Sequence, residues 1–469
     1  MAYGFYVSNP AQYGIRDLLD RPHSSPSIGS PGRVLDPVKG AIPIRNDTSY
    51  HTLHLFGTPH ATDGSALISF TTRKAWALLA YVMIEGNRPH SRSALATMLW
   101  PESPPAKAHN SLSAALTQLR TMVARPDAPH LPIIATPQTL QRNPLADIVV
   151  DVEQFNAALD ACAAHRHRDV VCCLACARQL AEAVALVRGE FLEGLTLNGS
   201  PTFEDWLMVK RSHLNAQISN ARHTLAVHHE QYGDSNAALA YLHDVLADAP
   251  WDEDAHWQVI RILGQNGQRA RALKQYDACV AALDREFGVS PSAETDDLAE
   301  RIRTGTLQPP PRPELCLPNG LSPLVRQYAD LCALTDVLSD MQHRLVTICG
   351  PSRIRKTHVA IMVANRVGPC YRDGVRMVDL SAAPTIDDII MVIGAAIGLT
   401  FSSTQPIFDQ LLMVLADRKL LLLLDNAEHL RSYAGLLTEL LGCAPNVTVL
   451  VTSHVPLDLM DEWVYEEES

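Results

Sequence analysis

An amphipathic stretch from Pro105 to Val123 constrains the fold more than any other part of the sequence. Its apolar residues recur at intervals of three and four, which predicts one buried stripe along a helix. They are Ala108, Leu112, Ala115, Leu116, Leu119 and Val123. The opposite face is small, polar and free of acidic side chains, and it carries Lys107, Asn110, Ser113, Ala114, Thr117 and Thr121, with Gln118 beside it. Small side chains, amides and hydroxyls suit a helix that enters a DNA major groove.

The segments around this helix predict strands, three helices and a hairpin, in that order. Alternating apolar residues at 53–56 and 67–70 predict two short antiparallel strands, with a turn at the letters ATDG between them. Helices are predicted over 71–86 and 91–100, because capping residues precede each one and a Gly or Pro follows it. A hairpin around Pro137 and the strand ADIVVDV come after the third helix. This order is that of a winged helix-turn-helix, in which the third helix reads DNA and the hairpin forms the wing.

Two long stretches of sequence resemble a known family. The letters RKAWALLAYVMIEGNRPHSRSALATMLWPES and then AHNSLSAALTQLR resemble the OmpR-type winged helix of bacterial activators of the antibiotic-regulatory-protein kind. The letters ALVRGEFLEGL, FEDWLMVKRSHL and FGVSPSAETDDLAERIR resemble the bacterial transcriptional activator domain that follows the winged helix in that family. The resemblance implies a DNA-binding winged helix over 51–150 and an all-helical activator domain over 151–303.

An internal repeat independently predicts helical pairs in the second of these segments. Gly233, Ala238 and Leu239 recur 34 residues later as Gly267, Ala272 and Leu273, and this is the period of tetratricopeptide repeats. Charge also separates the two segments, since 51–150 has eight Lys/Arg against five Asp/Glu, whereas 151–303 has 14 against 23. The acidic repeat segment is therefore expected to contact protein rather than DNA.

The remaining chain predicts a leader, a linker and an α/β domain. Residues 1–50 are rich in Pro, Ser and Gly and are expected to be a disordered leader. Residues 304–322 are predicted to be a Pro-rich linker. Over 323–469, the stretches LVTICG, VRMVDL, KLLLLLD and VTVLVTS predict buried parallel strands between helices. The predicted fold class is thus multidomain: a winged helix-turn-helix (α+β), an all-α tetratricopeptide-like domain and a partial α/β P-loop NTPase domain.

The first of these strands leads into a degenerate phosphate-binding loop. In GPSRIRKT, Gly350, Lys356 and Thr357 fit the P-loop pattern G-x-x-x-x-G-K-[ST], in which backbone amides and Lys hold phosphates and Thr binds magnesium. Arg355 occupies the second glycine position, where a side chain crowds the phosphates. Asp425, at the end of LLLLLD, suits the acid on the magnesium side.

The segment resembles the nucleotide-binding domain of STAND signalling ATPases, in truncated form. The phosphate loop departs from that family's loop at Ser352, Arg353 and Arg355. His454 stands where that family has an Arg after Thr-Ser, and the letters LVRQY match its entry motif only in part. The chain ends soon after the fourth strand, so a lid and a fifth strand are not expected. This interpretation of the sequence requires no cofactor. At most, weak binding of ATP or ADP with Mg²⁺ is expected, and ATP hydrolysis is not expected.

The cysteines and histidines offer fewer functional signals. Six of them cluster between 162 and 176: Cys162, His165, His167, Cys172, Cys173 and Cys176. Their spacing differs from the compact C-x₂₋₄-C and H-x₃₋₅-H pairs of zinc sites, so packing is expected and a metal is not. No Ser/His/Asp or Cys/His arrangement indicates a catalytic nucleophile, and the chain is not expected to be an enzyme. Scattered cysteines and the lack of a signal peptide or a long apolar run favour a cytoplasmic protein without a membrane segment.

The sequence therefore predicts a DNA-binding transcriptional regulator, and an activator by resemblance. The predicted DNA-contacting residues are Lys107, Asn110, Ser113, Ala114, Thr117 and Gln118 on the reading face, and Arg73, Lys74, Arg92, Arg120 and Arg142 for phosphates and the wing. Expected partners are double-stranded promoter DNA, RNA polymerase and a second copy of the chain, because one Lys on the reading face gives few phosphate contacts. Two alternatives are a nucleotide-gated signalling scaffold whose winged helix contacts protein, and a helical adaptor without DNA affinity.

Overall fold

The first part of the chain combines two small sheets with three helices. The computed structural model describes residues 51–466 except 64–65, 69, 71, 87, 124–131, 168, 308–314, 317–327, 341, 352 and 403–404. The elements run β1 (His51–His54), β2 (His60–Asp63), β3 (Ala66–Ile68), α1 (Arg73–Glu85), β4 (His90–Ser91), α2 (Arg92–Leu99), α3 (Pro105–Val123), β5 (Ile133–Ala135), β6 (Thr139–Arg142) and β7 (Ile148–Val150). One sheet has the order β3-β2-β1-β7, and the other has the order β4-β6-β5.

Local sequence explains where these helices begin. The Thr72 hydroxyl caps α1 by accepting a hydrogen bond from the Ala75 amide, and Ser91 caps α2 through the Ala94 amide. The third helix spans the predicted bounds, and its apolar stripe from Ala108 to Leu119 is buried against α1 and α2. The three predicted helices and the hairpin are confirmed.

A run of helices follows directly after β7. It comprises α4 (Asp151–Ala164), α5 (Leu174–Ala185), α6 (Pro201–Gln231), α7 (Ser235–Asp248), α8 (Glu253–Gln265), α9 (Arg269–Phe287) and α10 (Ala293–Thr304). Helices α6 and α7 pack as one pair and α8 and α9 as the next. The repeated Gly233 and Gly267 have φ of +79° and +74°, a left-handed conformation that lets each pair turn sharply.

The last part of the described chain is a parallel sheet covered by helices. Its strands are β8 (Leu315–Cys316), β9 (Leu345–Cys349), β10 (Val375–Asp379), β11 (Leu421–Asp425), β12 (Thr448–Ser453) and β13 (Glu462–Glu466). Its helices are α11 (Tyr328–Ser339), α12 (Arg353–Val367), α13 (Ile386–Ala396), α14 (Ile407–Leu415) and α15 (Ala434–Cys443). The strand order is β13-β9-β12-β11-β10-β8, and each neighbouring pair is parallel.

Three predictions of local structure were wrong. The letters ATD, predicted as a turn, belong to β2, which pairs antiparallel with β1. The predicted linker contributes the short strand β8 at the edge of the parallel sheet. A fifth strand was not expected after VTVLVTS, yet β13 pairs with β9 from Glu462 to Glu466. Its letters EWVYE place charges at both ends of a short apolar core, which suits an edge strand.

The predicted leader at 1–50 and most of the predicted linker lie outside the described residues. Among the residues that are described, none belongs to a helix long and apolar enough to span a membrane.

Candidate nucleic-acid interface

The outer face of α3 is exposed, as the amphipathic pattern predicts. Exposed side chains on this face are Lys107, Asn110, Ser113, Ala114, Thr117 and Arg120, and Gln118 is half-buried beside them. On the opposite face, Leu112 is fully buried and Leu116 and Leu119 are each 4% exposed. The buried stripe therefore fixes how the helix is rotated, and the polar face is turned to solvent.

Arg92 ties this face to the hairpin formed by β5 and β6. Its guanidinium donates one hydrogen bond to the Ser113 hydroxyl at 2.8 Å and another to the Thr136 carbonyl at 3.3 Å. Thr136 begins the hairpin turn, and its hydroxyl accepts hydrogen bonds from the Gln138 and Thr139 amides. The Arg92 cation thus lies between the helix and the hairpin turn, where it could contact a phosphate of a DNA backbone lying against both.

On its other side, α3 borders an open groove of about 500 Å³. The groove is lined by the N-terminal end of α1, by α3 and by a loop of the helical segment: Thr72, Arg73, Lys74, Trp100, Ser111, Ala114, Ala115, Gln118, Thr196, Leu197 and Asn198. The Thr72 hydroxyl lies 3.5 Å from the Gln118 side-chain oxygen. Arg73 and Lys74 are thereby brought to the same groove as Ala114 and Gln118 of the reading face.

Lys74 is less available than Arg73. Its ammonium lies 5.2 Å from the centre of the Trp100 ring, a cation–π contact. Burial lowers the pKa of Lys74, and the nearby Glu102 carboxylate partly offsets this effect. Arg73 is exposed at the start of the same helix. Arg73 is therefore the stronger candidate for a phosphate contact.

The assignment of Arg142 to the wing stays a prediction, and the structure places Arg142 in the β5–β6 hairpin. Arg142 ends β6 at the base of the hairpin, and its guanidinium forms an ion pair with Glu153 of α4. Burial lowers the pKa of Arg142. Its side chain thus joins the first segment to the helical one, and it lies at the base of the hairpin rather than at the turn that Arg92 contacts.

Sequence reasoning missed several residues of this surface. The sequence predicted only that a capping residue, Thr71 or Thr72, begins the first helix, and nothing in the local pattern marked Thr136 at the hairpin turn. Thr196 and Asn198 come from the loop before α6, far along the chain, and line the groove only because the two segments pack together. A sequence pattern carries no signal for such a contact.

The degenerate phosphate loop forms a second polar cluster, at the carboxyl ends of β9, β11 and β12. The Thr357 hydroxyl donates to the Asp425 carboxylate at 2.7 Å, so the pair that would hold Mg²⁺ is assembled. Lys356 is buried, and its ammonium contacts the Gly350 carbonyl and the His454 ring nitrogen, the latter at 3.2 Å. Thr357 and Asp425 thus lie side by side, whereas the Lys356 ammonium is occupied by contacts with Gly350 and His454.

The helical segment has a recognised match. Residues 150–303 match the bacterial transcriptional activator domain. This range agrees with the activator segment predicted from the sequence at 151–303. In the structure it runs from the last residue of β7, through α4–α9, to the penultimate residue of α10.

Similar proteins are bacterial regulators. Regulatory protein AfsR of Streptomyces griseus is 25% identical over 452 residues, which cover 90% of this chain and 44% of AfsR. A putative HTH-type transcriptional regulator of Mycobacterium tuberculosis is 36% identical over 122 residues, covering 26% of this chain and 14% of that protein. This chain thus spans less than half the length of either relative.

A solved structure is also similar in part. It is Mycobacterium tuberculosis EmbR in complex with low affinity phosphopeptide, with a TM-score of 0.43 and 22% identity over 63% of this chain and 72% of that one. The sequence matches, rather than this one, support a transcriptional regulator with an activator domain.

Proposed function

We propose that this protein is a DNA-binding transcriptional activator. In this proposal α3 enters the major groove as the reading helix of a winged helix-turn-helix, and the β5–β6 hairpin is the wing. The observation that carries it is the exposed, acid-free face of α3, backed by a buried stripe and joined to the hairpin by Arg92. A helix that only met water would more commonly carry pairs of opposite charge on its outer face.

Each side chain on this face has a role that follows from its chemistry. The Asn110 amide suits a bidentate contact with adenine, Ala114 suits the methyl group of thymine, and Lys107 suits guanine or a phosphate. Arg73, Arg92 and Arg120 flank the face and suit phosphates, which fix the position of the protein without reading bases. The hydroxyls of Ser113 and Thr117 can each donate or accept a hydrogen bond on the same face.

We assign contacts with protein to the helical activator domain. Its helix pairs resemble tetratricopeptide units in period and in the left-handed glycines that separate their helices. The acidic balance of this domain disfavours DNA, so its helices suit RNA polymerase or a second copy of the chain. A dimer on repeated half-sites would supply the phosphate contacts that a single weakly charged reading helix lacks.

Salt-dependent binding of promoter DNA tests the proposal. Mapping the bound sites across the genome supplies the operator, and a labelled operator fragment then reports binding by the full chain through fluorescence anisotropy. Replacing Lys107 with Ala should weaken binding and reduce the slope of log affinity against log salt by about one, as for one lost phosphate contact. The matched control is Lys274→Ala, an exposed lysine on α9 that should leave the slope unchanged.

Two results would contradict the proposal. If the full chain bound no operator in a salt-dependent manner, a signalling scaffold or an adaptor would explain the chain better. If Lys107→Ala and Lys274→Ala changed the salt slope equally, binding would not run through α3.

A further inference from the structure

Four metal-ligating side chains converge where α4 ends and α5 begins. His165 follows the last residue of α4, His167 lies two residues later, and Cys173 and Cys176 form the cap and first turn of α5. One donor atom from each side chain lies within 4.8 Å of all the others. Cys173 and Cys176 are buried and the two histidines are half-buried, so the cluster is largely enclosed.

The distances match those of a tetrahedral site. His165 Nδ1 lies 3.2 Å from Cys176 Sγ and 3.5 Å from Cys173 Sγ, and His167 Nδ1 lies 3.7 Å from Cys176 Sγ. With Zn–S near 2.3 Å and Zn–N near 2.1 Å, tetrahedral geometry separates nitrogen and sulfur donors by about 3.5 Å. We propose that His165, His167, Cys173 and Cys176 bind one structural Zn²⁺ ion.

The chemistry of the donors selects this kind of metal. Thiolate and imidazole ligands suit Zn²⁺ and disfavour Mg²⁺ and Ca²⁺, which prefer oxygen. Both cysteines would bind as thiolates and both histidines as neutral imidazoles, so binding of the metal would displace their protons.

The predicted packing role for these residues rested on spacing along the chain. H-x-H followed by C-x-x-C is not the usual ligand pattern of small zinc domains, but the donor atoms of both pairs lie together on either side of the turn Val170–Cys172. Cys162 and Cys172, the other members of the sequence cluster, are not among the four grouped donors. Cys162 Sγ instead lies 3.7 Å from the Cys176 carbonyl, and Cys172 packs among apolar residues of the α/β domain.

The metal would hold in place a turn of the activator domain that contacts the α/β domain. The turn Val170–Cys172 lies between the two ligand pairs. Its Cys172 carbonyl accepts a hydrogen bond from the Tyr232 hydroxyl of α6 at 3.1 Å and lies 3.7 Å from Cys370 Sγ of the α/β domain. A Zn²⁺ ion bound at both ends of this turn would hold it in the conformation that contacts both domains.

Metal analysis of the full chain tests this inference. Protein purified without chelators, then dialysed, should retain about one zinc per chain by inductively coupled plasma mass spectrometry. The double variant Cys173→Ser/Cys176→Ser should retain almost none. Cys279→Ser, another buried cysteine located on α9, should retain as much zinc as the unsubstituted chain.

A spectroscopic measurement does not depend on whether the variants fold. The unsubstituted chain, with its metal removed and Co²⁺ added, should show the visible bands of a tetrahedral ion and the charge-transfer absorption of cobalt thiolates. Absence of zinc together with absence of these bands would overturn the inference. Equal loss of zinc in Cys279→Ser and in the double variant would also overturn it.

Discussion

At the residue scale, a buried carboxylate holds the boundary between the first two segments. Asp151, 1% exposed, accepts hydrogen bonds from the backbone amides of Leu55, Phe56 and Val152 at 2.8–3.1 Å. Burial raises the pKa of Asp151 although these amides oppose the shift. His54 lies beside this junction, with its Nδ1 4.0 Å from Asp151 and 3.0 Å from the Arg188 guanidinium. The Arg188 contact requires a neutral ring.

His54 should make the protein sensitive to mild acid. Burial, together with Arg188 and His60, lowers the pKa of His54 from 6.5 to about 4. Between these values the unfolded chain binds more protons than the folded one, so the free energy of unfolding falls as pH falls from 6.5 to 4. His54→Gln should therefore flatten the fall of the unfolding midpoint over this range. Thermal melting at several pH values measures it.

The control for this prediction is His243→Gln, which alters an exposed ring on α7. It should leave the dependence of the midpoint on pH as it is in the unsubstituted chain. Equal slopes for His54→Gln and the unsubstituted chain would show that the ring of His54 does not carry this dependence.

At the scale of elements, the sequence predicted the features that depend only on neighbouring residues. The bounds of α3 and the caps of α1 and α2 follow from side chains within a few residues of each helix end. The strand β13 was missed because its existence depends on pairing with β9, more than a hundred residues earlier. The pairing of Arg142 with Glu153 was missed for a related reason, since the position of α4 beside β6 is a tertiary contact.

The end of α1 packs closely against β6 of the hairpin. A Cβ at Gly86 would lie 2.1 Å from the Val82 carbonyl oxygen of α1 and 2.4 Å from the Cβ of Arg142, so the end of α1 and the hairpin would both have to move. Gly86→Ala should lower the free energy of unfolding by about 1–3 kcal/mol, as overpacking does. It should also weaken operator binding, because the hairpin carries Thr136 beside Arg92. Thermal melting and anisotropy measure the two effects.

The matched control is Gly435→Ala in α15, where an added Cβ would meet no atom within 4 Å. Alanine favours helix over glycine by up to about 1 kcal/mol, so this variant should melt at the same temperature or slightly higher. If Gly86→Ala behaved like Gly435→Ala, the hairpin would not be held by this contact.

At the scale of the whole molecule, the first segment and the activator domain share one hydrophobic core. Val150 ends β7 and Asp151 begins α4 without an intervening residue. The core joins Leu53 and the apolar faces of α1 and α3 to Phe155 of α4 and Phe203 of α6. Two segments that bury their apolar surface against each other are expected to unfold together.

Because this core is shared, a substitution that destabilises α6 should also destabilise α3. Phe203 is fully buried, and truncating such a side chain costs about 3–5 kcal/mol. Phe203→Ala should therefore reduce the amide hydrogen-exchange protection of α1 and α3 by about a hundredfold or more, since 1.4 kcal/mol corresponds to tenfold. Phe287→Ala, which truncates a side chain that is 58% exposed on α9, should leave that protection unchanged. Loss of protection confined to α6 would mean that the first segment and the activator domain are stable independently.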